Sequence, residues 1–326
     1  MTAYKNITGV LAAAGITVLI LDSKTAMSGA AAGLDLCIKT VIPSLFPFLF
    51  LCAVLTNTLW GSKTTALNQL CRKLGIPNGA ESILISAALG GYPAGAQVIG
   101  TAYKEGKLSK SDAEHLLTFC SNAGPAFLFG MTSTLFPNKS AAVSLWCIQI
   151  LASFLTAITG KHRSENTARL SAVSISLSAV LAQTVRTMSA ICGWVMLFRI
   201  LSVFLEKWVL FYFPNEVQII TAGILELSNG CCALNGIENV SLRFILCSCF
   251  LSFGGLCVLM QTVSVIDKLS LYAYLKGKRY QTFFSFVLSC LYLKLGWSIL
   301  LGVIAFICFY CSNLKIRCGF PSVKRV

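Results

Sequence analysis

Apolar residues run through this chain in long blocks, and glycine and proline cut the blocks in two regions. Longer runs cover 7–21, 41–60 (bent by Pro43 and Pro47), 141–160, 188–205 and 281–311. Several approach the ~20 residues that a helix needs to cross a bilayer. The short alternating segments of a transmembrane barrel are missing. The pattern predicts an all-α, polytopic helical membrane protein. Two shorter stretches, 26–40 and 174–187, are mildly amphipathic and read as helices lying at the interface.

The cut blocks carry the interest. Gly90, Gly91, Pro93 and Gly95 interrupt 81–100, and Gly124 and Pro125 interrupt a helix that resumes to about 136. Ser111-Asp112-Ala113-Glu114 fits a capping box that opens this helix. A second set lies at 217–235, around Glu226-Leu227-Ser228-Asn229-Gly230, and in 242–266, around Gly254-Gly255. Broken backbone leaves polar groups unpaired in lipid, and survives only where protein or a watery cavity covers it. Paired broken segments are the best sequence pointer to a binding site at mid-membrane.

The order of elements repeats: amphipathic helix, span, broken hairpin, broken helix, span. Ile38-Lys39-Thr40 has its counterpart 147 residues on, at Val185-Arg186-Thr187. The chain therefore divides into an N-terminal span (1–25), a first repeat (26–160), a basic cytoplasmic linker (161–173), a second repeat (174–311) and a basic tail (312–326). With the N-terminus cytoplasmic, 61–73, 103–110, 161–169 and 268–279 fall inside and carry three, three, three and four cations. The outer loops 137–140, 207–215 and 236–243 carry one each. This obeys the positive-inside rule and makes the second repeat inverted relative to the first. Each repeat then contributes one re-entrant hairpin. The tail, with Lys315, Arg317, Lys324 and Arg325, falls outside unless 281–311 is a bent pair around Lys294.

Composition agrees with this class. Of the 326 residues 56% are hydrophobic and 12% charged, with mean hydropathy +0.76. A soluble domain carries about 25% charged residues. The net charge of +14 sits in short loops between spans, so it argues for topology and against a nucleic-acid partner. Most of the 15 cysteines lie in apolar segments, where a thiol packs as a small hydrophobe. Cys308 and Cys311 have redox spacing but no second pair. His115 and His162 stand beside basic loop residues, and no cluster has metal-ligand spacing. The run 7–21 resembles a signal-peptide core but lacks a small-x-small site before Asp22, so it reads as a retained span.

Candidate site residues follow from the breaks. Gly91, Tyr92, Pro93, Gly95 and Gln97 form either a tight structural hairpin or a tip whose carbonyls, phenol and amide face a polar solute. Asn122, Gly124 and Pro125 read either as the cap of a half-helix aimed at a ligand or as a kink satisfied internally. Glu226 lies in an apolar run, where a carboxylate costs roughly 2.5–3.5 kcal/mol on insertion scales and needs a partner or a wet cavity. It is the candidate for coupling a proton or sodium ion; the other reading pairs it with a backbone donor or Arg199. Ser228, Asn229, Gly254, Gly255 and Gln261 complete the set. Arg199 and Lys294 are long enough to snorkel. No nucleophile–base pair or resident cofactor motif is visible, which argues against an enzyme.

The stretch GGYPAGAQVIGTAYKEGKLSKSDAEHLLTFCSNAGPAFLFG resembles the signature of the YlbJ-type sporulation integral membrane proteins, of the nucleoside-recognition (Gate) domain group. Gly91, Tyr92, Pro93, Gly95 and Ala96 match its first element; Asn122, Ala123, Gly124, Pro125 and Phe127 match its last. The resemblance implies a multi-pass bacterial membrane protein of spore cortex formation, in the mother-cell or forespore-surrounding membrane. It supplies no substrate, and fold analogy does not give one. Two functions remain open: a transporter-like protein for a small polar solute, or a non-transporting scaffold for spore envelope proteins. The bilayer is the one certain partner; a homo-oligomer stays open.

Overall fold

A computed structural model describes residues 2–59, 70–160, 162, 164, 176–266 and 268–317. Most of the expected linker 161–173 and the tail from 318 onward lie outside the described residues, as do Lys63, Lys161, Arg163 and Arg169. The protein is all-α, with no β-strand element among the described residues. Among the described residues four helices are long and apolar enough to cross a membrane: Ser23–Leu59, Lys139–Thr159, Leu177–Trp208 and Val240–Val263. Large apolar side chains are exposed as well as buried. Leu19, Ile20, Phe283, Phe286 and Leu301 are exposed, while Lys278, Gln281, Ser285 and Ser289 are buried. That is the distribution expected of helices that face lipid outside and each other inside.

Helix α1 spans Thr2–Leu21 and α2 spans Ser23–Leu59. The expected interfacial helix 26–40 does not exist as a separate element: α2 runs through it without a break. Asp35 and Lys39 sit one turn apart and pair at 2.7 Å, which mutes both charges. A π-helical turn, Cys37–Val41, precedes Pro43 and absorbs the mismatch of its missing donor. The same correction applies to the second expected interfacial helix: its residues 177–187 are the start of α8, Leu177–Trp208. α2 and α8 pack antiparallel along small residues. A β-carbon on Gly29 would meet Ile200 Cα at 2.9 Å, and one on Gly33 would meet Met196 Cα at 3.0 Å. Only small residues allow such an approach.

Between them lie α3 (Ser82–Leu89), α4 (Ala94–Lys104), α5 (Lys110–Leu117), α6 (Pro125–Leu135) and α7 (Lys139–Thr159). The α5 cap is Ser109, not Ser111: its Oγ accepts from Asp112 N at 3.1 Å. After α8 come α9 (Asn215–Leu225), α10 (Leu227–Ala233), α11 (Val240–Phe253), α12 (Gly255–Val263), α13 (Leu271–Leu295) and α14 (Trp297–Arg317). The basic stretch expected as a loop over 268–279 is therefore mostly helix. The run 281–311 is a broken pair, hinged at Gly296, where φ is +62°. Leu300 and Ile307 of α14 return to the core.

Two hairpins enter from opposite ends. α3 and α4 form the first, whose open end lies where Gly100 packs on Val265 and where Ser270 N donates to Glu114 Oε1 at 3.0 Å. α9 and α10 form the second. Its open end is closed by Asn215 Nδ2 donating to Gly236 O at 3.3 Å, beside Arg243, which donates to Leu135 O at 3.0 Å.

Candidate functional site

Both hairpin tips reach the middle of the bundle and rest on a broken helix. Gly91 (φ +75°) makes the first tip, and a β-carbon there would lie 3.1 Å from Gly124 N. The Tyr92–Pro93 peptide is cis. Gly95, the second residue of α4, is closed on by Cys120 O. Glu226 makes the second tip between α9 and α10. The two arms touch at Gly223 and Gly230, and Gly255 packs under the tip against Gly223 O and Leu227 N. The left-handed Gly254 (φ +84°) and Gly255 (φ +80°) break α11 from α12 there, a conformation that other residues rarely hold.

A small cavity of about 30 Å³ lies where these parts meet. Tyr92 comes from the first hairpin, Gly124 from the first break, Glu226 and Ser228 from the second tip, and Gln261 from α12. Apolar side chains of α2 and α8 complete the wall. The space holds about two waters, or one ion, and no larger solute. Gln97 lies elsewhere, in a groove of about 700 Å³ between α2, α4 and α8 that also holds Thr56, Thr101, Gln183 and Thr184. Asn229 does not line the cavity; its Oδ1 accepts from Arg199 Nη1 at 2.8 Å. Arg199 is thus held by Asn229 and by Glu206 at 3.3 Å.

Glu226 is 3% exposed and caps its own helix. Oε1 accepts from Ser228 N at 3.0 Å and Oε2 from Asn229 N at 2.6 Å. Backbone donors and the helix dipole thus stabilise a carboxylate at this depth. Asn122 does not cap α6. Its Nδ2 donates to Phe119 O at 3.2 Å and Ala87 O at 3.3 Å, tying the break to the first hairpin. Further side chains serve the freed carbonyls: Ser153 Oγ also donates to Phe119 O, at 2.6 Å, and Gln149 Nε2 to Ala123 O at 3.2 Å. The internally satisfied kink is therefore the arrangement found. Pro125 is the first residue of α6, and Pro93 precedes α4.

Two central residues escaped the sequence reading. Lys278, 1% exposed, donates to Tyr92 Oη at 2.7 Å, Gln281 Oε1 at 2.9 Å, Ser252 O at 3.1 Å and Ser121 O. Gln281 Nε2 donates to Asn122 Oδ1 at 2.5 Å. Tyr92 Oη in turn lies 3.0 Å from Leu251 O and 3.2 Å from Ser252 O. Their signal was periodic: Tyr274, Gly277, Lys278, Gln281, Ser285 and Ser289 form a small and polar stripe at helical spacing, all buried.

A second polar group sits at the end where the first hairpin opens. His162 Nε2 and Asp112 Oδ1 are 2.9 Å apart, and the His115 and His162 rings stack at 4.5 Å. His115 Nε2 donates to Leu74 O at 2.7 Å. Burial pushes His115 down to about 4. Burial would raise Asp112, but hydrogen bonds from Ser109 and His162 outweigh it and hold the carboxyl low. Among the described residues no group of three His, Cys, Asp or Glu side chains could hold a metal.

Fold and site define an all-α polytopic membrane protein whose two hairpin tips meet at a small cavity with a few polar groups in an apolar wall. Compared with protein-family models, with curated proteins and with solved structures, the chain matches none.

Proposed function

We propose that this protein is a transporter-like carrier for a small polar solute, built from two inverted repeats. One observation carries the reading: Tyr92, Gly124, Glu226, Ser228 and Gln261, from all four interrupted elements, line one cavity. The antiparallel α2–α8 pair and the opposed hairpins support the inverted relation. Glu226 is the residue that couples a proton or engages the solute. The resemblance of 89–130 to YlbJ-type proteins supports a role in spore cortex formation and a bacterial cell-membrane location.

The size of the cavity sets a condition. A solute larger than a few atoms enters only if a tip moves. The scaffold reading draws on the same fact, since the freed carbonyls are already paired. A thermal-shift screen of the purified protein against nucleosides, peptidoglycan precursors, dipicolinate and metal ions separates the two. A carrier is stabilised by one class, and Glu226→Gln abolishes both that shift and uptake into vesicles while leaving the protein in the membrane. A scaffold shows no shift, and Glu226→Gln keeps the sporulation phenotype of the wild type.

A further inference from the structure

The Lys278 ammonium has no carboxylate within ion-pair distance among the described residues. Burying an unpaired charge is costly, so dipoles must hold it. Its surroundings are oxygen throughout: two carbonyls, a phenol and an amide oxygen. The Tyr92 ring adds its face at 4.5 Å and the Tyr274 ring at 5.6 Å. Ser252 lies in the last turn of α11, so its carbonyl stands at the negative end of that helix.

The network fixes the sense of the amide hydrogen bonds, and the carbonyls beside Tyr92 orient its hydroxyl. Asn122 Nδ2 faces two carbonyls, so Asn122 Oδ1 must accept. Gln281 Nε2 supplies that bond, which turns Gln281 Oε1 toward Lys278. The Tyr92 hydroxyl hydrogen is drawn to Leu251 O or Ser252 O, so its oxygen accepts from Lys278. Four acceptors therefore converge on one nitrogen, and a neutral amine, with two hydrogens and a lone pair, cannot serve them. An ammonium with three donors can, sharing one.

A shell of neutral oxygens is also how protein backbones strip and hold a monovalent cation. We infer that the Lys278 ammonium is a tethered cation: it fills a monovalent-cation site formed by Ser121 O, Ser252 O, Tyr92 and Gln281, and joins both halves without a bound sodium or potassium ion. The inference rests on this geometry alone and stands whether or not the protein transports.

The test is thermal unfolding of the full chain in uncharged detergent, with choline chloride exchanged for sodium, potassium or methylammonium chloride at constant ionic strength. Wild type keeps one midpoint in all four salts. Lys278→Ala has a lower midpoint, which potassium or methylammonium raises saturably and choline does not. Lys278→Met, of similar length and uncharged, is lowered and not rescued, because its side chain fills the space. A Lys278→Met midpoint equal to wild type overturns the inference, as does a Lys278→Ala midpoint no more sensitive to small cations than wild type. If Lys278→Ala yields no folded protein, the Lys278→Met arm decides.

Discussion

Gly95→Ala is the sharpest test of how the first hairpin is held. The added β-carbon would lie 1.8 Å from Cys120 O and 3.0 Å from Cys120 C. Both are backbone atoms of the first break, so no side-chain rotation relieves the overlap. Carbon–oxygen contacts settle at about 3.3 Å or more, so α4 and the break must separate by about 1.5 Å. That displacement falls on a tip where Gly91 already meets Gly124. Overpacking costs about 1–3 kcal/mol, against about 1 kcal/mol returned by the better helix propensity of alanine. The control is Gly130→Ala, on an exposed face of α6 where a β-carbon meets nothing within 4 Å. Thermal midpoints of both variants in the same detergent decide the matter: Gly95→Ala falls by several degrees and Gly130→Ala does not fall. Equal midpoints would mean that the hairpin is not seated on the break, and the account of the cavity wall would fail.

Three further outcomes follow from other parts of the structure. Gly230→Ala would put its β-carbon 2.1 Å from Gly223 Cα, so the second hairpin opens and the midpoint drops as for Gly95→Ala; an unchanged midpoint refutes the close arm contact. Glu226→Ala leaves the Ser228 and Asn229 amides without acceptors, at about 1–3 kcal/mol for each buried group, whereas Glu226→Gln retains one acceptor oxygen and loses less. Reversal of that order in thermal unfolding would show that the carboxylate is not a cap. His115 has a folded pKa of about 4 against an ordinary 6.5, so its stabilising contribution is complete above pH 6.5 and is lost as pH falls toward 4. The total is about 3 kcal/mol, and a stability–pH curve of His115→Gln should be flatter in that window than wild type.

The breaks were legible because their cause is local. Glycine and proline announce an interruption wherever they fall, and Gly91, Gly124, Gly254 and Gly255 all sit at observed interruptions. The helix boundaries were less so. Asp35 and Lys39 looked like the polar end of an interfacial helix, yet they neutralise each other on the surface of a continuous one. Lys278 was hidden by its neighbours. Lys276 and Arg279 are exposed, and three cations within four residues resemble a cytoplasmic loop. Only the periodicity of α13 separates the buried lysine from the two that stay outside. Partners such as Ser121 and Ser252 are 157 and 26 residues away, and backbone carbonyls have no sequence signature.

The two tips are anchored in different ways, and this bears on how so small a cavity could widen. Tyr92 is bound to the second half through Leu251 O, Ser252 O and Lys278. Moving the first hairpin breaks those bonds together and strands a buried ammonium. Glu226 bonds only to the amides of its own tip, and the link outward from that hairpin is the bond from Arg199 to Asn229. The second hairpin therefore carries the backbone donors of its carboxylate with it, and Arg199, left behind, keeps its pairing with Glu206. On the carrier proposal the first hairpin is the fixed wall and the second is the gate. The low cost of moving the second comes from the same helix cap that lets a carboxylate sit at the centre of the bundle.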